Sequence, residues 1–560
     1  MKRGLLLRAL ELCAPAVLLV AVLRCGASDD DSGGKGWDDQ RSGDGGRSND
    51  VATGGSTATG GTTATGGLPP EVEIEAGFEA PVLTGKYMWS PNPESNRVAV
   101  VDAETLQVQT LEAGFAPTYL SAVPTDPDST ETAAIVLNVR GENATLFRLS
   151  DGEPEDPLTF PTHSRANSWA ISESGKWAVA WSDAREFDIV DPVEGFQDLT
   201  LILIAPDDGE PRAMRRVAGY RPSSVSFDDK EENLIVVSEH GLTVIDLTDE
   251  SNPVERDLVE VTPDGEGDPA QRDVVVAPDG KTALVRNEES NVVDFVTVAT
   301  GQIRSISLDG PITDLDVSQD GSLAVAVMRD EGEAAVLHLP DAATDPDAID
   351  VVSVSGTFGS VSLAADASVG VLYTNAIPNP EVVIVQLAGD DALTTRVEDL
   401  RAPVRGVWVA PDAGHAVALL DPPPGSVKVG AFSILSTRAR RAPLLVGTDA
   451  PAMEVALGPA GTNNALVTVR DDTTGFYGVH VVALSTLQED FLPLASPPLS
   501  AGIIPELNKG FVAQQHPEGR ITFIDFPESV TDGTASTPTS TTLTGFELAT
   551  RVVYPTGSGK

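Results

Sequence analysis

Six histidines are scattered through the chain, at His163, His240, His338, His415, His480 and His516, and no two stand at metal-ligand spacing. A hydrolytic site made from them would have to be gathered by the fold from distant segments. His338 and His480 lie in the apolar runs AAVLHLP and GVHVVAL, which are expected to be packed strands. In TPDGEGDP (262–269), Asp264, Glu266 and Asp268 alternate with other residues on a glycine-rich turn. Hard oxygen ligands of that kind suit calcium, but the distal bidentate glutamate of an EF-hand loop is missing. The segment reads as a solvated loop, with no metal site and no cofactor expected. There is no glycine-rich phosphate loop after a strand, no nucleophile elbow and no metalloprotease helix motif, so no catalytic residue is assigned.

The aromatic residues say more. Trp169, Trp177 and Trp181 fall in NSWAISESGKWAVAWSDAREFDIVDPVEGFQ, and Asp183, Arg185, Glu186, Asp188 and Asp191 follow Trp181 in a long loop. Indole faces beside charged groups suit a sugar or a peptide. The alternative is that the tryptophans fill space between sheets and the loop holds no ligand. NAIPNPE (375–381) and DPPPGSVKVG (421–430) also stand out, because proline lowers the entropy cost of presenting a binding surface.

A repeat must position these residues. Segment 272–308 reads RDVVVAPDG, KTALVRN, NVVDFVTVAT, GQIRSISL: four short runs rich in Val, Ile, Leu or Thr, each ended by Gly, Asp, Asn or Pro. Similar phrases recur about every 40–55 residues. Four strands and four turns per unit mark the blades of a β-propeller. Fourth strands are the weakest, as expected of exposed outer edges. The first unit, GKYMWSPNPESNRVAVVDAETLQVQTLEAG, begins at a second strand, whereas GFELATRVVYPTG (545–557) looks like a lone inner strand. The expectation is an all-β propeller of about ten four-stranded blades, closed by the C-terminal strand joining the N-terminal blade as its inner strand. Two smaller rings in tandem, or seven or eight blades carrying insertions, are the alternatives.

Two segments carry a family resemblance. NRVAVVDAETLQVQTL (96–111) resembles the YVTN-type propeller repeat, and VVVAPDGKTALV (274–285) resembles the Pro-Asp-Gly turn of the same broad group, which includes lactonase-like propellers. Later copies drift; SLAADASVGVLY lacks that turn. The resemblance implies the fold, and a binding or scaffold role at a bacterial surface, with a lactonase-like propeller hydrolase as the alternative.

The first 25 residues read MKRGLLLRALELCAPAVLLVAVLRC: a basic start, then an apolar run too short to span a bilayer. That is the layout of a signal peptide over 1–24. Cys25 follows, and the arrangement resembles a bacterial lipoprotein whose cysteine becomes the lipidated first residue, although Arg24 stands where such proteins carry a small residue. Ordinary cleavage after Ala27 is the alternative. Residues 25–70, rich in Gly, Ser, Thr and Asp, lack the apolar groups to offset ordering entropy and read as a disordered tether, spanning roughly 35–40 Å. The propeller domain is then 71–560.

Charge narrows the partners. The formal net charge is −47 over 560 residues, which repels nucleic acid and anionic lipid and leaves the membrane reachable only through a lipid anchor. Cys13 and Cys25 are the two cysteines, so the body has no disulfide and no cysteine nucleophile. The reading is an exported envelope protein whose partner is another envelope protein, a peptide or a glycan.

Overall fold

The computed structural model describes residues 81–545 apart from 127–128, 184–195, 257, 262–271, 517 and 528–536, together with the backbone of Val552–Val553. The signal segment, Cys25 and the tether lie outside the described residues, as do Arg185, Glu186, Asp188, Asp191, Asp264, Glu266 and Asp268.

Ten antiparallel sheets follow one another along the chain, each laid out in chain order from an inner to an outer strand. They are blades 1 to 10. Blade 5 matches the clearest repeat run for run: Arg272–Val276, Thr282–Asn287, Val292–Thr297 and Gln302–Ser307.

The middle strands are apolar at nearly every position because each sheet is covered on both faces. In the blade 6 strand Leu323–Met328, Ala324, Ala326 and Met328 pack on blade 5. The alternate residues Leu323, Val325 and Val327 pack on blade 7. Outer strands are instead half-buried or exposed at most positions, as in Gln302–Ser307, because they lie on the solvent side of the ring.

Ten hydrophobic clusters fill the spaces between successive blades. One of them joins blade 10 (Ile504, Phe511, Ala513, Ile521, Phe523) to blade 1 (Met88, Ala99, Val101, Ala103). Lys509 Nζ also donates to the Ala103 carbonyl across that junction (3.3 Å). The chain is therefore one closed ring, not two in tandem.

The C-terminal strand joins blade 1, as expected, but at the other edge. Val552–Val553 runs parallel to the outer strand Val108–Glu112, pairing Thr110 with Val552. The inner strand is Val82–Thr84, only three residues long and joined to Tyr87–Asn92 across Gly85 (φ +57°). Trp89 Nε1 donates to Thr84 Oγ1 (2.6 Å) and holds it there. Three residues before a tight turn are too short to show periodicity, hence the misassigned inner strand.

The drifted turn is also intact. Gly280 N–H donates to the Ala277 carbonyl with φ +68°, and Ala367 N–H donates to the Ala364 carbonyl with φ +57°. Ala413 (φ +52°) repeats this in blade 8. Alanine in the left-handed region costs about 1–2 kcal/mol relative to glycine.

Ala367→Gly is expected to stabilise the protein by about 1 kcal/mol in urea unfolding, less the entropy glycine adds to the unfolded chain. Phe511→Ala, in the cluster that closes the ring, is expected to cost about 3–5 kcal/mol. Val397→Thr, on the outer strand of blade 7, should stay within about 0.5 kcal/mol.

Candidate functional site

The strand order sorts all connections onto two faces. Turns joining first to second and third to fourth strands lie on one side, the turn face. Connections from second to third strands, and from each outer strand to the next inner strand, lie on the other, the loop face.

The sequence-derived ligand set runs on from Trp181 and Asp183 of blade 3 into 184–195, outside the described residues. Trp177 and Trp181 are buried in the cluster between blades 3 and 4. Trp169 Nε1 donates to the Tyr119 carbonyl of blade 2 (3.1 Å). Asp183 is buried at the loop's base, its N–H donating to Asn167 Oδ1 (2.7 Å) while Asn167 Nδ2 donates to the Asp183 carbonyl (3.0 Å). The two described members of that set are thus packed into the scaffold.

His163 is fully used. Ser182 Oγ donates to the Arg165 carbonyl (3.0 Å), so it accepts from His163 Nε2 (3.1 Å). Thr200 Oγ1 accepts the His163 backbone N–H (3.0 Å), leaving its hydrogen for Nδ1 (2.9 Å). That closed circuit fixes a neutral imidazole. Burial, with the nearby Arg215 charge, pushes its pKa down to about 4. His480 is buried between Phe432 and Phe491 as expected, whereas His338 is exposed and pairs with Asp350 (2.9 Å).

The inner strands hold carboxylates that the sequence reading passed over: Asp273 in blade 5, Asp314 and Asp316 in blade 6 (Asp314–Val317), and Glu454 in blade 9 (Ala452–Leu457). Each inner strand leaves one edge unpaired toward the channel, and several of these acids cap the neighbouring edge. Asp314 Oδ2 accepts the Val361 N–H of blade 7 (2.8 Å), and Glu454 Oε2 accepts the Ala501 N–H of blade 10 (3.1 Å). Thr313 Oγ1 donates to the Gly359 carbonyl (2.8 Å) in the same way. Burial, reinforced by the Asp314 charge and opposed by N–H groups of Val317 and Leu363, pushes Asp316 up to about 7. Burial alone does the same to Glu454, against the Ala501 N–H. Burial raises Asp273 despite Arg286, whose Nε lies 3.4 Å from Asp273 Oδ2. The signal was an acid inside an otherwise apolar inner run, as in ITDLDVSQDG. Among the described residues no three His, Cys, Asp or Glu side chains converge as a metal site.

The loop face is the other notable feature. A cleft of about 220 Å³ lies between blades 7 and 8, lined by Asn375, Ile377, Pro378, Pro403, Val404, Arg405 and Asp421. It brings together the two proline loops singled out from sequence. They are pinned: Val404 N–H donates to the Asn379 carbonyl (2.9 Å) and Asp421 N–H to the Pro403 carbonyl (2.8 Å). A second cleft of about 360 Å³ occupies the equivalent place between blades 3 and 4, around Tyr220, His240 and Leu258.

Exposed apolar side chains follow the same asymmetry. Of thirteen large ones among the described residues, eight stand on the loop face: Phe115, Val139, Val217, Leu258, Val427, Val429, Met453 and Leu499. Val427 is 95% exposed, at the tip of the 421–429 loop. Only Leu393 and Val254 lie toward the turn face, the remaining three being on outer strands.

No family model and no curated protein matches the chain. Solved structures similar to it include apo AztD from Citrobacter koseri, at 13% identity over 64% of this chain and 94% of that one, with a TM-score of 0.37. Another is the dihydro-heme d1 dehydrogenase NirN in complex with DHE, at 16% identity, 66% and 74% coverage and a TM-score of 0.39. A eukaryotic initiation factor shares 9% identity over 74% of this chain and 97% of that one, with a TM-score of 0.42.

The shifted groups give pH dependence of opposite sign. Glu454 is raised in the fold, so its contribution is complete below the unfolded value near 4.5 and is lost as pH rises through about 7. Glu454→Gln is expected to flatten the fall in melting temperature between pH 5 and pH 8. His163 is lowered, so its contribution is present above 6.5 and lost as pH falls through about 4. His163→Ala is expected to cost about 1–3 kcal/mol at pH 7 and progressively less toward pH 4. Melts of each variant and the parent across that range check both.

Proposed function

We propose that this chain is an exported binding module, held to a bacterial envelope membrane by a lipid on Cys25, that captures a protein, peptide or glycan partner on its loop face. The observation carrying this reading is the gathering of exposed apolar side chains and both clefts on one side of a rigid ring. Apolar side chains gathered on one polar-rimmed face are what association surfaces present. The tether would hold that head away from the bilayer, and the strong negative charge would keep it from adhering to anionic lipid.

The raised carboxylates Asp273, Asp316 and Glu454 favour a second reading, a lactonase-like propeller hydrolase working in the channel. Binding ranks first because Asp314, Asp316 and Glu454 are already occupied in capping backbone edges. Hydrolysis of a lactone panel that disappears in Asp316→Asn would reverse that ranking.

A photo-crosslinking residue in place of Val427 on the loop face and, separately, of Leu393 on the turn face is the test in the native host. Adducts are expected from position 427 and not from 393; the reverse would contradict the reading. Intact mass of the membrane fraction is expected to show a chain starting at Cys25 with added acyl mass. A soluble, unmodified chain starting near Ser28 would remove the anchor.

A further inference from the structure

Five inner strands are interrupted by a β-bulge where they leave the loop face, with Thr118, Ser223, Arg405, Met453 or Leu499 as the extra residue. Bulges re-aim a side chain and leave the extra residue's own N–H and C=O out of the ladder register. Three of the five fall on consecutive blades, 8, 9 and 10. Among all described inner-strand residues only Met453 (39%) and Leu499 (40%) are exposed, and both are large, apolar and bulged. Both stand at the loop-face end of an innermost strand, beside the mouth of the channel. Beside them Arg405, the bulged residue of blade 8, reaches over blade 9, Nη1 donating to the carbonyl of Ala452 (3.1 Å), the residue before Met453. No carboxylate lies within ion-pair distance of Arg405 among the described residues, in a chain with more than twice as many acids as bases. Its body also lines the cleft between blades 7 and 8.

We propose that this stretch of the mouth, from the blade 7–8 cleft past Arg405 to Met453 and Leu499, docks an extended peptide. A carboxylate of that peptide pairs with Arg405, and its adjoining apolar side chains pack on Met453 and Leu499. The proposal rests on the loop-face reading and deepens it by naming the partner's chemistry. Three features select a peptide. The patch runs across four blades, 7 to 10, which suits an elongated ligand. A fork of guanidinium donors matches a carboxylate. The out-of-register backbone groups of two bulges offer hydrogen bonds that a peptide backbone returns and an acyl chain does not. Methionine adapts to varied apolar partners, which fits a surface that takes a sequence class and not one sequence.

The test pans a phage-displayed random dodecapeptide library on the immobilised full chain, then measures fluorescein-labelled winners by fluorescence polarisation. Winners are expected to carry Asp, Glu or a free C-terminus next to apolar residues. Their affinity should fall about tenfold or more with each of Arg405→Glu, Met453→Asp and Leu499→Asp, and stay unchanged with Phe115→Asp. Met453 and Leu499 are exposed, so those variants should keep the parent melting temperature; loss of binding with that temperature intact is the supporting result. Failure to enrich any peptide, or winners indifferent to all three changes, overturns the proposal. Winners lost only with Phe115→Asp overturn it too but leave the loop-face reading standing. Winners lost only with Leu393→Asp overturn both.

Discussion

Everything in this molecule depends on the apolar contact between neighbouring blade faces. A four-stranded sheet alone would expose two greasy faces. Here each face meets the next blade, and the tenth meets the first. Val, Ile, Leu, Phe and Met side chains each gain roughly 1.5–3 kcal/mol on such burial. The constraint explains why second and third strands are apolar at nearly every position and why outer strands are the more exposed. It also explains why the terminal strand is an accessory. Pairing Val552–Val553 with the outer strand of blade 1 covers an edge, while packing of Phe511 and Phe523 on Met88 and Val101 closes the ring.

A ring of ten exceeds the usual range of about four to eight blades. Inner strands keep an unpaired edge toward the channel. The chain answers with side chains that reach from one blade to the next: Asp314 to Val361, Glu454 to Ala501, Arg405 to Ala452. Burying a carboxylate to cap one or two N–H groups is costly near neutral pH, and the upward shifts of Asp316 and Glu454 register that cost. The same wall sets up recognition. Bulges at the start of inner strands turn a few side chains out of the packed ring, and the loops between second and third strands, pinned by backbone hydrogen bonds, rise beside them. A rigid scaffold with a short list of freed apolar groups on one face lowers the ordering cost of binding.

The ring was readable because its signals are local and repeated. Arg272–Ser307 resolves into strands at the boundaries its Gly, Asp and Asn residues mark, and the proline loops do line a loop-face cleft. What escaped depends on register or on contacts between distant segments. Val82–Thr84 is too short to show a period. Whether Asp314 points into solvent or caps Val361 depends on the neighbouring blade, 47 residues away. Met453 and Leu499 look like core residues in MEVALGPAG and PLSAGII, and one extra residue in the strand turns them outward. Trp181 shows the converse: an indole beside a charged loop suggested a ligand surface, and it packs between blades 3 and 4.

The most direct test of the account is native-state hydrogen exchange of the full chain, read strand by strand with increasing urea. If blade-to-blade packing around a closed ring is what holds the molecule, the middle strands of all ten blades will converge on a single opening free energy, including those of blades 1 and 10. Two groups of blades opening at separate free energies, or terminal blades that exchange freely while the rest stay protected, would contradict it.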